Sequence, residues 1–408
     1  MTINGKQRSV RTTRAAGRRR TGRVAVFAVA GALGLTTGTV PQPAFAQTPE
    51  LVAQRWTTRA PGAAADARLR GVVPGVNGRV TLRRDGKVFA TVSEATVRQW
   101  SATTGRPVGA ALPGIVGAVH ALEYGPDGSR LAVAGDSGVS LWDAVTGQRS
   151  VATLAGHAGA VRSVAFSADG RLMATAGDDA TVRLWDPDSG RLVHTLIGHV
   201  GAVRNVVFSR DGKRLASAGA DNTVRLWRAA TGLPIGAALT VSPGPVYATS
   251  FSPDGRLLAA SGGGNLVRLW NPATGEPAGE PLTASSGPVY GLTFSLGQKL
   301  LATSSGADNT VQVWNTTTRL QATAPLTGHA GPVRAMRFSQ GGDLLATGSD
   351  DGTVRLWDTA TGSLADAPLT GHDGPVWALR ISRNGKRLVT AAADDKVRVW
   401  RVAPKTGS

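Results

Sequence analysis

Between residues 157 and 199 four short runs rich in Val, Leu, Thr and aromatic residues (AVRSVAF, RLMATAG, TVRLW and RLVHTLI) are separated by the turn sequences SADG, GDDA and DPDSG. Short β-branched runs bounded by Gly-, Asp- and Pro-bearing turns predict strands. None of the runs reaches helical length or shows a 3.6-residue period. The same layout recurs, closed each time by a tryptophan: Trp100, Trp142, Trp185, Trp227, Trp270, Trp314, Trp357 and Trp400 stand 42 to 44 residues apart. A fixed period of that size marks an array of one supersecondary unit. A four-stranded antiparallel unit cannot bury both of its faces alone, so neighbouring units must stack and the row must close on itself.

Several features, namely the Gly-His pair that opens the unit, the F-S-x-D-G turn, the L-A-T step and the D-x-T-V-R-L-W-D ending, resemble WD40 repeats of β-propellers over about residues 78–402. The resemblance implies an all-β fold: a single WD40-type β-propeller with four antiparallel strands per blade. Eight blades are expected, because the Trp100–Trp142 interval equals the others and residues 78–105 carry a DG turn, two strands and the Trp. The alternative is seven blades, with residues 106–112 closing the ring and 78–101 decorating it. Only eight residues follow Trp400, so a segment before residue 78, at 66–72, is expected to supply the last outer strand.

The first 46 residues follow another pattern. Residues 1–23 hold Lys6, seven arginines and no acid; an apolar run at 24–35 follows, then Ala44-Phe45-Ala46 before Gln47. That order predicts a secretory signal peptide over 1–46, with an apolar run short for a membrane span; an uncleaved anchor is the alternative. Arg18-Arg19-Arg20 resembles a twin-arginine signal, while the residues after it fit that motif poorly, so both export routes stay open. Residues 47–65 are expected to form a loose linker, and 66–408 the propeller, with blades from about 78.

Removing the eight leader cations lowers the formal charge from +18 to +10. Six arginines recur two residues before a Trp (Arg98, Arg183, Arg225, Arg268, Arg355 and Arg398), so the basicity is largely a property of the repeat. Their stems are expected on apolar surface with their heads in water. The charge favours an acidic partner, but the contiguous basic stripe with interleaved aromatics that nucleic acid requires is missing. There is no cysteine, so stability must come from burial and ring closure. The six histidines follow the repeat rather than a ligand cluster, and neither a metal nor a cofactor is expected.

Four units carry a His, a hydroxyl, an Asp and the Trp at matched offsets: His157, Thr175, Asp179 and Trp185; His199, Ser217, Asp221 and Trp227; His329, Thr347, Asp351 and Trp357; His372, Thr390, Asp394 and Trp400. These residue types evoke a hydrolase triad. A catalytic set occurs once, however, and a buried indole N–H needs an acceptor. The sets resemble the structural hydrogen-bond tetrad of WD40 blades. Elsewhere the set decays: Ser242, Ala260 and Gly264 replace it before Trp270, Ser286 joins Thr303 and Asp308 before Trp314, and Asp136 and Glu94 are all that is evident before Trp142 and Trp100.

At the start of each first strand, two apolar residues stand three apart, as Val161 and Val164 do. An odd spacing between inward positions implies a bulge, which re-aims the side chain beside it. The residue so aimed is His120, Arg162, Arg204, Tyr247, Tyr290, Arg334 or Trp377, while its neighbours barely vary between repeats. By the resemblance this position lies on the top face around the channel, and its composition is that of binding hot spots. The leading functional expectation is a non-enzymatic exported module, a monomeric propeller that binds a protein, peptide or cell-envelope ligand. A propeller lyase or glycoside hydrolase would need paired acids at the channel mouth, where Asp178 and Asp350 are the obvious candidates; a structural subunit of an envelope complex is the third possibility.

Overall fold

Each tryptophan repeat folds as successive hairpins into one antiparallel sheet. In the repeat of Trp185 the strands Val161–Phe166, Met173–Gly177, Thr181–Trp185 and Leu192–Ile197 pair in chain order. The structure, a computed structural model, describes residues 68–402 apart from 75–79, 94–95, 113–115, 242–243, 285, 298 and 383–384. The leader and linker, Glu94 and Ser242 therefore lie outside the described residues. Among those described there is no helix, and the strands form eight sheets.

Contacts between sheets make the ring. The first strands, from Val80–Leu82 and Val119–Tyr124 through to Val376–Ile381, each touch the next, and Val376–Ile381 touches Val80–Leu82. The blades, numbered 1 to 8 by their tryptophans, thus surround a central channel. The apolar cores lie between blades rather than within them. Ala132, Val139 and Leu141 of blade 2 pack with Val161, Met173 and Trp185 of blade 3. Likewise Val80, Phe89 and Trp100 of blade 1 pack with Val389, Val397 and Val399 of blade 8. Each tryptophan sits in the seam with the preceding blade, which is why every blade needs both neighbours.

The last blade is completed from the other end of the described chain. Arg68–Pro74 pairs antiparallel with Lys396–Arg401, Leu69 opposite Trp400 and Pro74 opposite Lys396. The expected strand therefore exists, displaced by two residues. The seven-blade alternative fails because residues 106–112 edge their own blade, through the bridges Trp100↔Pro107 and Val97↔Leu112.

Four full strands per blade hold for only part of the ring. In blades 1, 6 and 7 the outer segment makes only two isolated bridges to the third strand, as Trp357↔Leu364 and Val354↔Leu369 do in blade 7. Small residues and prolines such as Pro107, Pro325 and Pro368 crowd these segments. Proline cannot donate to a ladder, and on an edge its loss is tolerated.

Candidate functional site

The odd spacing does produce bulges. Register slips between Val119 and Ala121, Val203 and Asn205, Val246 and Ala248, Val289 and Gly291, Val333 and Ala335, and Val376 and Ala378. In blade 3 the slip leaves Ser163 and Val161 opposite Ala176 and Gly177, so Arg162 is the extra residue. His120, Arg162, Arg204, Tyr247, Tyr290, Arg334 and Trp377 are therefore all thrown out of their ladders at the same end of the first strand.

Around the channel these side chains fall into two linked arcs. In blades 2 and 3, His120 Nε2 lies 2.7 Å from Asp136, and Arg162 reaches both His120 (3.1 Å) and Asp178, whose Oδ1 accepts from Nε at 2.8 Å. The Arg162 guanidinium holds the Asp178 carboxyl below its usual value. In blades 5 to 7 the Tyr247 and Tyr290 rings stand 5.3 Å apart and tilted by 57°, and the Arg334 guanidinium lies 4.2 Å over the Tyr290 ring. Arg334 also forms a two-pronged pair with Asp350, at 2.7 Å from Nη2. Arg204 makes no ion pair or hydrogen bond with a described side chain, because Ala220 stands where blade 3 has Asp178. Tyr247 and Trp377 stay 44% and 47% exposed.

The acids of the arcs take roles other than those the sequence pattern suggested. Asp178 and Asp350 serve as anchors for the ring arginines on blades 3 and 7, far apart round the channel. Asp178, kept ionised by the Arg162 guanidinium, is a poor proton donor, and the two acids, on blades 3 and 7, do not form the close pair that glycoside cleavage uses. Asp136 is not a remnant of a tetrad. It takes the place of Asp178, accepting from the Ala118 N–H (3.0 Å) and pairing with His120. Among the described residues no group of three or more His, Asp or Glu is placed to hold a metal ion.

The four tetrads assemble below this face, between blades. Each Trp Nε1–H donates to its hydroxyl at 2.8–2.9 Å, each hydroxyl meets a His Nε2 at 2.8 Å, and each His Nδ1 meets its Asp at 2.9–3.1 Å. The polarity runs one way: indole N–H to hydroxyl, hydroxyl O–H to imidazole, imidazole N–H to carboxylate. That relay needs a neutral imidazole. Burial lowers all four histidines, outweighing the pull of their aspartates.

Two features of this layer were not legible in the sequence. Trp100 donates to Thr91 at 2.8 Å, although the hydroxyl stands nine residues before the Trp rather than ten; in blade 6 Thr303 serves Trp314 from eleven residues away. Turn length varies, but the hydroxyl always faces the residue two before the Trp, as in Thr91↔Arg98 and Thr303↔Gln312. Trp142 has no acceptor among the described residues. The repeat arginines do not hold their heads in water throughout. Arg355 donates to the Gly328 carbonyl (2.7 Å), and Arg398, 6% exposed, reaches Asp394 at 2.7 Å. The guanidinium crosses the Gly of the Gly-His pair, where a Cβ on Gly156 would come within 2.6 Å of Arg183 Nη1. Gly156 also holds φ at +152°, a backbone conformation that favours glycine whatever the space around it.

Comparison with known proteins agrees with this architecture. A family model described as "WD domain, G-beta repeat" matches residues 110–143, 148–186, 190–228, 237–271, 276–315, 320–358 and 366–401, together well over half of the chain. The three strands of blade 1 lie before the first matched repeat. No match was found among curated proteins. Among solved structures, the crystal structure of the computationally designed Ika8 protein is similar with a TM-score of 0.71 and 24% identity, over 81% of this chain and 97% of that one. At that identity the likeness concerns the fold alone.

Proposed function

This chain belongs to the WD40-repeat family, whose propellers generally act as protein-interaction scaffolds, and from that premise we propose that it is an exported, non-enzymatic binding module. Its ligand, a protein, peptide or cell-envelope component, docks on the bulge ring. The observation that carries this reading is the exposure of Tyr247 and Trp377, 44% and 47%, on a rim where the strand itself does not dictate the residue. Large aromatics left open on a rim are the side chains that dominate interface energies. Arg162 and Arg334 are already neutralised by Asp178 and Asp350, so the attraction for an acidic partner narrows to Arg204.

The test is a pull-down against secreted and envelope fractions, followed by titration of the captured partner. Trp377→Ala and Arg204→Ala should each weaken binding, by about 2 kcal/mol if the residue is central, and the Arg204 share should fade with added salt. Arg225→Ala, on the third strand of blade 4, should bind as the parent does. The reverse pattern, with ring variants unaffected and Arg225→Ala impaired, would place the site on the blade flanks.

Export rests on the basic leader and the Ala44-Phe45-Ala46 pattern. N-terminal sequencing of exported protein is expected to begin at Gln47; retention of residues 1–46 would instead indicate an anchor.

A further inference from the structure

The far ends of the first strands converge on the opposite mouth of the channel, roughly 13 Å from the bulge ring at about 3.3 Å per residue. There Leu82, Phe208, Phe251, Phe294, Phe338 and Ile381, each the last residue of its strand, line a cavity of about 690 Å³. That volume is in the range of small-molecule sites, and the lining mixes these apolar strand ends with polar side chains such as Arg84, Arg210, Ser252 and Gln340. Val207 and Ser250, one residue earlier in their strands, also line it, so the cavity reaches that level of the channel.

At the same level three blades carry charge: Glu123 in blade 2, Arg337 in blade 7 and Arg380 in blade 8. The equivalent positions elsewhere hold Thr81, Ala165, Val207, Ser250 and Thr293. Glu123 lies within electrostatic reach of both Arg380 and Arg337, two and three blades away, and all three stand at one level of the channel, next to the strand ends that line the cavity. Arg337 and Arg380 each spend one donor on a neighbouring carbonyl, Met336 O at 3.1 Å and Leu379 O at 3.0 Å. Neither forms an ion pair with a described carboxylate. Arg337 is exposed to the channel, and Glu123 and Arg380 are half-buried. The enclosing channel walls lower the Arg337 guanidinium, with Arg380 adding to the effect, and raise the Glu123 carboxyl.

The cavity's own lining adds arginines and no acid. At the rim Arg84 and Arg210 line the cavity, while Arg83 is taken by Asp85 at 2.8 Å. The nearby turn acids Asp169, Asp211 and Asp254 are bound at 2.6 Å by Ser167, Ser209 and Ser252 within their own turns. Two adjacent guanidiniums with most donors free, set behind an apolar collar, contribute nothing evident to the blades, since small neutral residues serve the same position in the other repeats. We propose that this mouth binds a small amphipathic carboxylate, its apolar body on the Phe collar and its carboxylate between Arg337 and Arg380.

Titration of the full chain with 4-phenylbutyrate and octanoate, followed by calorimetry, tests the assignment. Saturable binding is expected, with the uncharged 4-phenylbutanamide weaker by about tenfold or more, the usual effect of losing a charge-assisted hydrogen bond. Arg337→Gln and Arg380→Gln should each weaken 4-phenylbutyrate similarly, Arg337→Lys less so, and Trp377→Ala at the far mouth not at all. Thermal melting confirms that each variant is folded. The proposal is overturned if neither carboxylate binds the parent protein, if the amide binds as well as the acid, or if the folded Arg337→Gln/Arg380→Gln double variant binds unchanged. The amide comparison uses only the parent protein and so decides the matter even if a variant fails to fold.

Discussion

Deleting residues 66–77 is expected to open the ring at blade 8 and produce oligomers or aggregates where the full chain stays monomeric. Arg68–Pro74 is the outer strand against Lys396–Arg401, with six paired positions. At about 1 kcal/mol for each ladder hydrogen bond, its loss costs on the order of 5 kcal/mol. The consequence exceeds that figure, because blade 8 shares the Val389, Val397 and Trp100 seam with blade 1. An unpaired central-strand edge is also a template for intermolecular pairing. Light scattering after size exclusion, with thermal melting, checks the prediction. A deletion variant that stays monomeric and melts with the parent would show that the eighth blade closes without this strand.

His199→Ala is expected to lower stability by roughly 1–3 kcal/mol, the cost of leaving buried polar partners unsatisfied. Ser217 loses its acceptor and Asp221 one of its donors in a seam where His199 is 7% exposed. The same network sets a pH dependence. The folded-state values of the four histidines lie below the ordinary 6.5, so the stability they confer is full above about pH 6.5 and is lost as the pH falls below it. Burial alone would raise the Asp221, Asp351 and Asp394 carboxyls, but backbone and side-chain donors overcome it and hold them at about 2. Their contribution is full above about 3.8 and is lost as the pH falls through 2. Melting temperature measured from pH 7.5 to 5 should therefore fall less steeply in His199→Ala than in the parent. An unchanged melting temperature at neutral pH would remove the buried relay as a source of stability.

Much of the architecture was legible because a propeller repeats its local rules. The Trp period, the hairpin turns and the three-residue apolar spacing appear in the structure as blades, strands and bulges at the expected residues. The assignment of Asp136 and the omission of Thr91 share one cause. Offsets along the chain were used as a proxy for position across a hairpin, whereas hairpin length varies by a residue while the ladder register is kept. The repeat arginines were misjudged because their period fixes where each stands in the blade but not the direction in which its side chain runs.

By itself, then, the sequence determined the blade: its strands, its turns, the tryptophan seam, the four polar tetrads and the residues lifted by the bulges. These are consequences of spacing within some forty residues, and local patterning specifies them. Tertiary structure alone decided what depends on closure. It settled the register of the last outer strand, the pairing of Arg162 with His120 between neighbouring blades, and the approach of Glu123 to Arg337 and Arg380 across the channel. Those contacts join residues separated by one to several repeats, and only the curvature of the closed ring brings them within reach.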